Sequence, residues 1–242
     1  MEQHFSVRIA GLTIDFAHRY EYVRRLCRDY RTSSDSAPDI SVRATEEQIE
    51  AERRNAETDL PADYAESLCL FRSLAEQIPL TGRAVFHGAA IEYQGKGYLF
   101  TAPSGTGKST HIALWRRVIG DAVGIVNGDK PILRLTEDGV EVCSTPWAGK
   151  ENWQRNVSVP LGALCLLERG ETDRIRRVDP SQVIDRLMAQ IYLPRDSAAA
   201  AATLDLMDAL ISRVPIYLLA CTPTRQAVEA AFPALTGRSD VL

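Results

Sequence analysis

Residues 98–115, "YLFTAPSGTGKSTHIALW", place a glycine-rich, lysine-bearing loop between an apolar run and a helical pattern. The pattern is close to G-x-x-x-x-G-K-S/T, with Ala102 at the first glycine position. The chemistry such a loop offers is phosphate binding. Gly105 and Gly107 allow a turn whose N–H groups converge on an anion, and the following helix adds the positive end of its dipole. Ser104, Gly105, Thr106, Gly107, Lys108, Ser109 and Thr110 are therefore the candidate nucleotide contacts. Lys108 is suited to the outer phosphates and the Ser109 hydroxyl to a Mg2+ ion.

A phosphate loop alone binds; chemistry needs a carboxylate to orient metal or accept a proton. Asp129 is the candidate, because "AVGIVNGD" puts it at the end of an apolar strand after the loop helix. The competing reading is a turn aspartate in "NGDKP". The segment "TPWAGKENWQRN" gathers Trp147, Lys150, Glu151, Trp153 and Arg155. There Lys150 or Arg155 could neutralise charge on a transferred phosphoryl group, Glu151 could join a metal shell, and the tryptophans could shape the acceptor or adenine pocket. The plainer alternative is a surface loop anchored by two tryptophans. His87 either faces the phosphates or is satisfied by backbone at a strand end. Lys130 is equally open, His111 reads as a helix-surface residue, and His4 and His18 read as structural.

These residues need a scaffold, and the pattern supplies an α/β one: a mixed sheet with flanking helices. Strands are expected on either side of Gly11, at "ISVRA", in a pair joined at residues 94–97, at "DAVGIVNGD", in a hairpin turning at 137–139, at "LGALCLLER" and at "PIYLLACT". Helices are expected from Tyr20 through Cys27, from Thr45 (a candidate N-cap) to Asn55, through Tyr64, Leu68, Phe71, Leu74 and Ile78, after the loop, over 180–192 and 198–212, and after Pro223. Residues 31–39 read as a polar loop. A composition change near 79–83 suggests a small α+β N-terminal region, 1–80, before a nucleotide-binding domain, 81–242.

Composition bounds the rest. Hydrophobic residues at 45% and charged residues at 25% are ordinary for a globular chain. A formal charge of −4 gives no global reason to expect nucleic acid or an anionic membrane. No apolar run has the length of a bilayer span and the N-terminus has no secretory pattern, so a cytoplasmic protein is expected. The five cysteines are scattered without a CxxC pair and read as reduced core residues.

The stretch "FHGAAIEYQGKGYLFTAPSGTGKST" resembles the core of the HPr kinase/phosphorylase family, and more broadly the nucleotide-binding core shared with ATP-dependent phosphoenolpyruvate carboxykinases. The resemblance covers roughly residues 84–156. It implies that Lys108 and Ser109 bind Mg-ATP, that His87 stands at the "HG" position and that Asp129 stands at the acidic position. It further implies transfer of phosphate to a serine of a small protein or peptide, and a homo-oligomer. Two departures matter: "NGDK" carries one acid where the family carries adjacent acids, and the family's later glycine-rich signature is replaced by "TPWAGKENWQRN". The expected function is thus an ATP-dependent kinase acting on a Ser/Thr hydroxyl. A nucleotide-sensing module with little turnover and a small-molecule kinase are the alternatives.

Overall fold

The structure, a computed structural model, describes residues 2–33 and 37–239. Residues 34–36 of the expected polar loop lie outside the described residues. Two sheets occur among the described residues, one of three strands and one of nine.

The first sheet begins with strands β1 (Gln3–Ile9) and β2 (Leu12–His18), paired antiparallel in register from Gln3 opposite His18 to Ile9 opposite Leu12. Ala10 and Gly11, at φ 50° and 82°, close the two-residue turn in the left-handed conformation that suits the strand twist. The alternation of Phe5, Val7 and Ile9 buries one face of β1. Strand β3 (Ile40–Arg43) adds parallel to β2. Helix α1 (Glu21–Leu26) lies between β2 and β3 in the chain. Helix α2 (Glu46–Asn55) opens with a capping box between Thr45 and Gln48. Helix α3 (Ala62–Gln77) seats Ala65, Leu70, Leu74 and Ala75 in the core under this sheet.

The second sheet contains β4 (Arg83–Val85), β5 (Ala89–Tyr93), β6 (Lys96–Thr101), β7 (Val123–Asn127), β8 (Ile132–Thr136), β9 (Gly139–Cys143), β10 (Ser158–Arg169), β11 (Arg174–Arg177) and β12 (Ile216–Cys221). Its spine is β10, which pairs antiparallel with β9 at its start and then parallel with β6 and β12. A register shift between Leu161 and Ala163 reassigns the faces of β10. Leu161, Leu164 and Leu166 then enter one core, while Ala163, Cys165 and Leu167 enter the other. Helices α4 (Lys108–Ile119) and α7 (Arg225–Thr236) cover the second of these faces through Trp115 and Phe232. Helices α5 (Ile184–Met188) and α6 (Ser197–Arg213) cover the other through Leu187, Leu206 and Leu210.

Three expectations change in detail. The helix expected over 180–192 is a short turn at Pro180–Gln182 followed by α5. Pro223 stands before the N-cap Thr224 instead of inside the first turn of α7. Strand β11, an arginine-rich edge with no apolar alternation to announce it, was not expected. All five cysteines are free, and only Cys221 is not fully buried. Among the described residues, no helix is long and apolar enough to cross a membrane.

Candidate functional site

Strand β6 runs directly into the 102–107 loop, and α4 follows at Lys108. The Thr101 hydroxyl at the strand end donates to the His87 carbonyl at 2.8 Å. Gly105 and Gly107, at φ 76° and 113°, hold backbone conformations closed to most side chains. Gly107 stands at the N-cap and brings no side chain, so the leading N–H groups of α4 remain for an outside acceptor. Lys108 is folded onto this loop: its Nζ donates to the carbonyls of Ala102 at 2.8 Å and Pro103 at 3.4 Å. Burial is the main influence on its ammonium and depresses its pKa, the Asp129 charge opposes that, and Lys130 adds to it; the net is below the ordinary lysine value. From the end of β10, Arg169 donates to the Gly105 carbonyl at 3.0 Å. Nothing in its sequence surroundings marked that residue.

The acid is positioned by Asn127, which the sequence reading did not single out. Asn127 is fully buried at the end of β7. Its Oδ1 accepts the N–H groups of Asp129 at 2.9 Å and Lys130 at 2.8 Å, while its Nδ2 donates to the Thr145 carbonyl at 2.9 Å. The Asp129 carbonyl in turn accepts the Gly88 N–H at 3.0 Å. The turn admits only a glycine at 128, because a Cβ there would come 2.7 Å from the Ala148 carbonyl oxygen. Gly128→Ala is therefore expected to displace residues 145–149 from the turn and cost about 1–3 kcal/mol, measured as a lowered thermal midpoint. An unchanged midpoint would show that this close approach yields freely.

The Asp129 side chain faces His87 and Lys130. Its Oδ1 lies 3.4 Å from His87 Nε2 and its Oδ2 lies 3.5 Å from Lys130 Nζ. Burial is the largest single influence on the carboxyl and raises its pKa. The His87 hydrogen bond and the Lys130 and His87 charges together outweigh it, leaving the pKa below the usual carboxylate range. His87 is gripped by Gln190: its N–H donates to the Gln190 carbonyl at 2.7 Å, and its Nδ1 lies 2.9 Å from Gln190 Oε1. Gln190 lies within the helix expected over 180–192, where the sequence gives it no mark.

His87, Ser104, Gly105, Gly107, Lys108, Ser109, Thr110, Asp129, Lys150 and Glu151 all line one cleft of about 820 Å3. Thr106 does not line it; its N–H is turned to the Pro103 carbonyl. Arg155 is not brought there either. Its guanidinium donates to the Ile125 carbonyl at 3.2 Å and to Glu92 at 2.9 Å, lying where a side chain at Gly124 would have to be. Its role is to tie the β7 edge to β5. The segment expected as a surface loop is only partly one. Trp147 is buried, with its ring centroid 4.8 Å from Phe71 and 6.2 Å from Phe16, contacts that contribute about 0.5–1.5 kcal/mol each. Lys150, by contrast, is 91% exposed, with its Nζ 4.0 Å from Glu151.

His111 is also corrected: it is a core residue. Its Nε2 accepts the Trp115 indole N–H at 3.0 Å, and burial takes its pKa down to about 3. The unfolded chain binds a proton here below about pH 6.5 and the folded chain does not, so stability falls as pH drops. The expected loss is about 2 kcal/mol by pH 5. Denaturant titrations across pH should show it, and His111→Gln, which cannot titrate, should flatten that slope. A wild-type slope in the variant would exclude His111 as its source.

No three His, Cys, Asp or Glu side chains converge as a metal cluster among the described residues. Ser109, Asp129 and Glu151 in one cleft nevertheless suit Mg2+, which commonly takes one or two carboxylates and completes its shell with water and substrate phosphates.

No protein-family model matches the chain, and no curated protein does. Among solved structures, the chain is similar to the Hpr(Ser) kinase/phosphatase from Coxiella burnetii, at 12% identity and a TM-score of 0.38, over 62% of this chain and 94% of that one.

Proposed function

We propose that the protein is a phosphotransferase that moves the γ-phosphoryl group of Mg-ATP to a serine or threonine hydroxyl of a small protein or peptide. The observation that carries this reading is the meeting of two devices in one cleft: the uncapped start of α4 with Lys108, and the Asn127-ordered turn that presents Asp129. The motif around residues 102–110 supports nucleotide as the ligand.

In this reading, backbone N–H groups of residues 105 and 107–110 bind the phosphates, and Lys108 leaves the Ala102 and Pro103 carbonyls for the outer phosphates. Ser109, Asp129 and Glu151 hold the Mg2+, whose chemistry is to neutralise phosphate charge. The acceptor hydroxyl gives its proton to the Asp129 carboxylate. Its oxygen forms a bond to the γ-phosphorus while the bond to the β–γ bridging oxygen breaks, and ADP departs. His87, held by Gln190, orients Asp129. Lys150, exposed on the rim, meets charge on the transferred group. Residues 81–242 form the nucleotide side of the protein and residues 1–80 the acceptor side.

The test is label transfer from γ-labelled Mg-ATP, using the purified protein with size-fractionated lysate of its own source. Label in a protein or peptide supports the proposal. Label only in a small molecule makes the protein a metabolite kinase. Tight ATP binding without any labelled product makes it a nucleotide-sensing module.

A further inference from the structure

The far end of the cleft differs in kind from its phosphate end. Helix α3 presents Tyr64, Leu68 and Phe71, spaced four and three residues apart on one face, and α1 presents Tyr22 and Leu26, four apart. The Tyr22 and Tyr64 rings meet edge to face at 5.7 Å, and Tyr64 is 39% exposed. None of the residues that line the cleft from these two helices is charged. An apolar wall in a cleft that is also lined by Lys108, Lys130 and Asp129 is not explained by phosphate binding.

The order of groups along the cleft says which ligand meets that wall. A loop of this kind cradles the inner phosphates on its backbone N–H groups and brings its lysine to the outer ones, so the nucleoside leaves on the side away from the lysine. Asp129 stands at the lysine end of the loop: its Oδ1 lies 3.4 Å from His87 Nε2, the His87 carbonyl accepts the Thr101 hydroxyl at the loop's entrance, and Lys108 Nζ rests on the Ala102 carbonyl next to it. Gly149 backs onto Asp129: a Cβ there would lie 3.2 Å from the Asp129 Cβ. Trp147 follows, in ring contact with Phe71, and Leu68 and Tyr64 continue the wall on α3. The wall therefore lies beyond Asp129 from the nucleotide, on the side an acceptor occupies.

From this continuity, and resting on the kinase reading above, we infer that the α1–α3 wall is a specificity pocket for the acceptor peptide, receiving an aromatic or branched aliphatic side chain beside the phosphorylated residue. The apolar lining favours an apolar side chain there, because such a side chain leaves water on entering while an ion would have to shed its hydration. The open rim at Tyr64 lets the chain continue outward.

The experiment uses peptides Ala-Ala-X-Ser-X-Ala with X as Phe, Leu, Gly or Asp, the full-length protein and Mg-ATP. Phe and Leu peptides are expected to exceed Gly and Asp peptides by about tenfold or more in kcat/KM, the scale of burying one large apolar side chain. In Tyr64→Ala/Leu68→Ala that ratio should fall to about twofold, and the exposed-site variant Tyr64→Ala should move it in the same direction. Equal rates for all four peptides, or a preference undiminished in both variants, would overturn the inference while leaving the kinase reading intact. A companion measurement follows fluorescein-labelled Phe and Gly peptides by polarisation with Mg-ADP present. Preferential binding of the Phe peptide without any label transfer would sink the kinase reading and keep the pocket. Absence of both transfer and preference overturns the pocket as well. If the double variant weakens ATP but not inorganic tripolyphosphate, the wall holds the base and the inference fails.

Discussion

Lys108→Ala is expected to weaken Mg-ATP binding by about a hundredfold or more, roughly the 3 kcal/mol of a charge-assisted contact to phosphate, without destabilising the fold. The two halves of that result come from one observation. In the structure the ammonium is buried and rests on two backbone carbonyls, with its charged form disfavoured by burial. A cation held this way adds little to stability, since neutral carbonyls compensate desolvation less fully than a carboxylate would. Removing it relieves that cost and forfeits the contact with the outer phosphates. Calorimetric titration with Mg-ATP, paired with a melting curve, checks both. Undiminished affinity would refute the phosphate assignment of the 102–107 loop. A large drop in melting temperature would mean that Lys108 is a structural clasp for the loop.

The sequence made the loop and the acid visible because both depend on local order. Gly105, Gly107 and Lys108 are neighbours, and Asp129 closes an apolar run, so turn chemistry and strand period suffice to find them. What it hid depends on contacts across the chain. Asn127 matters through Thr145, Gln190 through His87, and Arg169 through Gly105, and no periodicity within a segment reports those partners. Arg155 and His111 failed for the complementary reason. Arg155, expected to meet a phosphoryl group, reaches Glu92 instead, and His111, expected on a helix surface, faces the Trp115 indole inside the core. The α3 stripe of Tyr64, Leu68 and Phe71 read only as a helix. That all three line the cleft follows from the contact of Phe71 with Trp147, a pairing between distant segments that no spacing within either one reports.

Asp129→Asn is the sharper test of chemistry. The substitution keeps the size of the side chain and the Asn127-ordered backbone, but it removes the carboxylate that would take the hydroxyl proton. Phosphoryl transfer is expected to fall by about 10²–10⁴, and Mg-ATP affinity by less, because the phosphate loop, Ser109 and Glu151 still hold the nucleotide and its Mg2+ when one metal-binding carboxylate is lost. Because His87 and Lys130 hold the carboxyl below the usual carboxylate range, it stays ionised through neutral and mildly acid pH. Any loss of wild-type transfer between about pH 8 and pH 5 must then arise from another group. The same depressed value fixes a linkage. A carboxylate with a lowered folded pKa stabilises the fold above its unfolded value, and that stabilisation is lost as pH falls through the folded one. The melting-temperature gap between wild type and Asp129→Asn should thus be full at neutral pH and close only in strong acid. Its size is modest, because the side chain is about a third exposed and solvent screens the pairs. Parallel loss of binding and transfer, with a gap that persists in acid, would make Asp129 a structural turn residue and move the base elsewhere in the cleft.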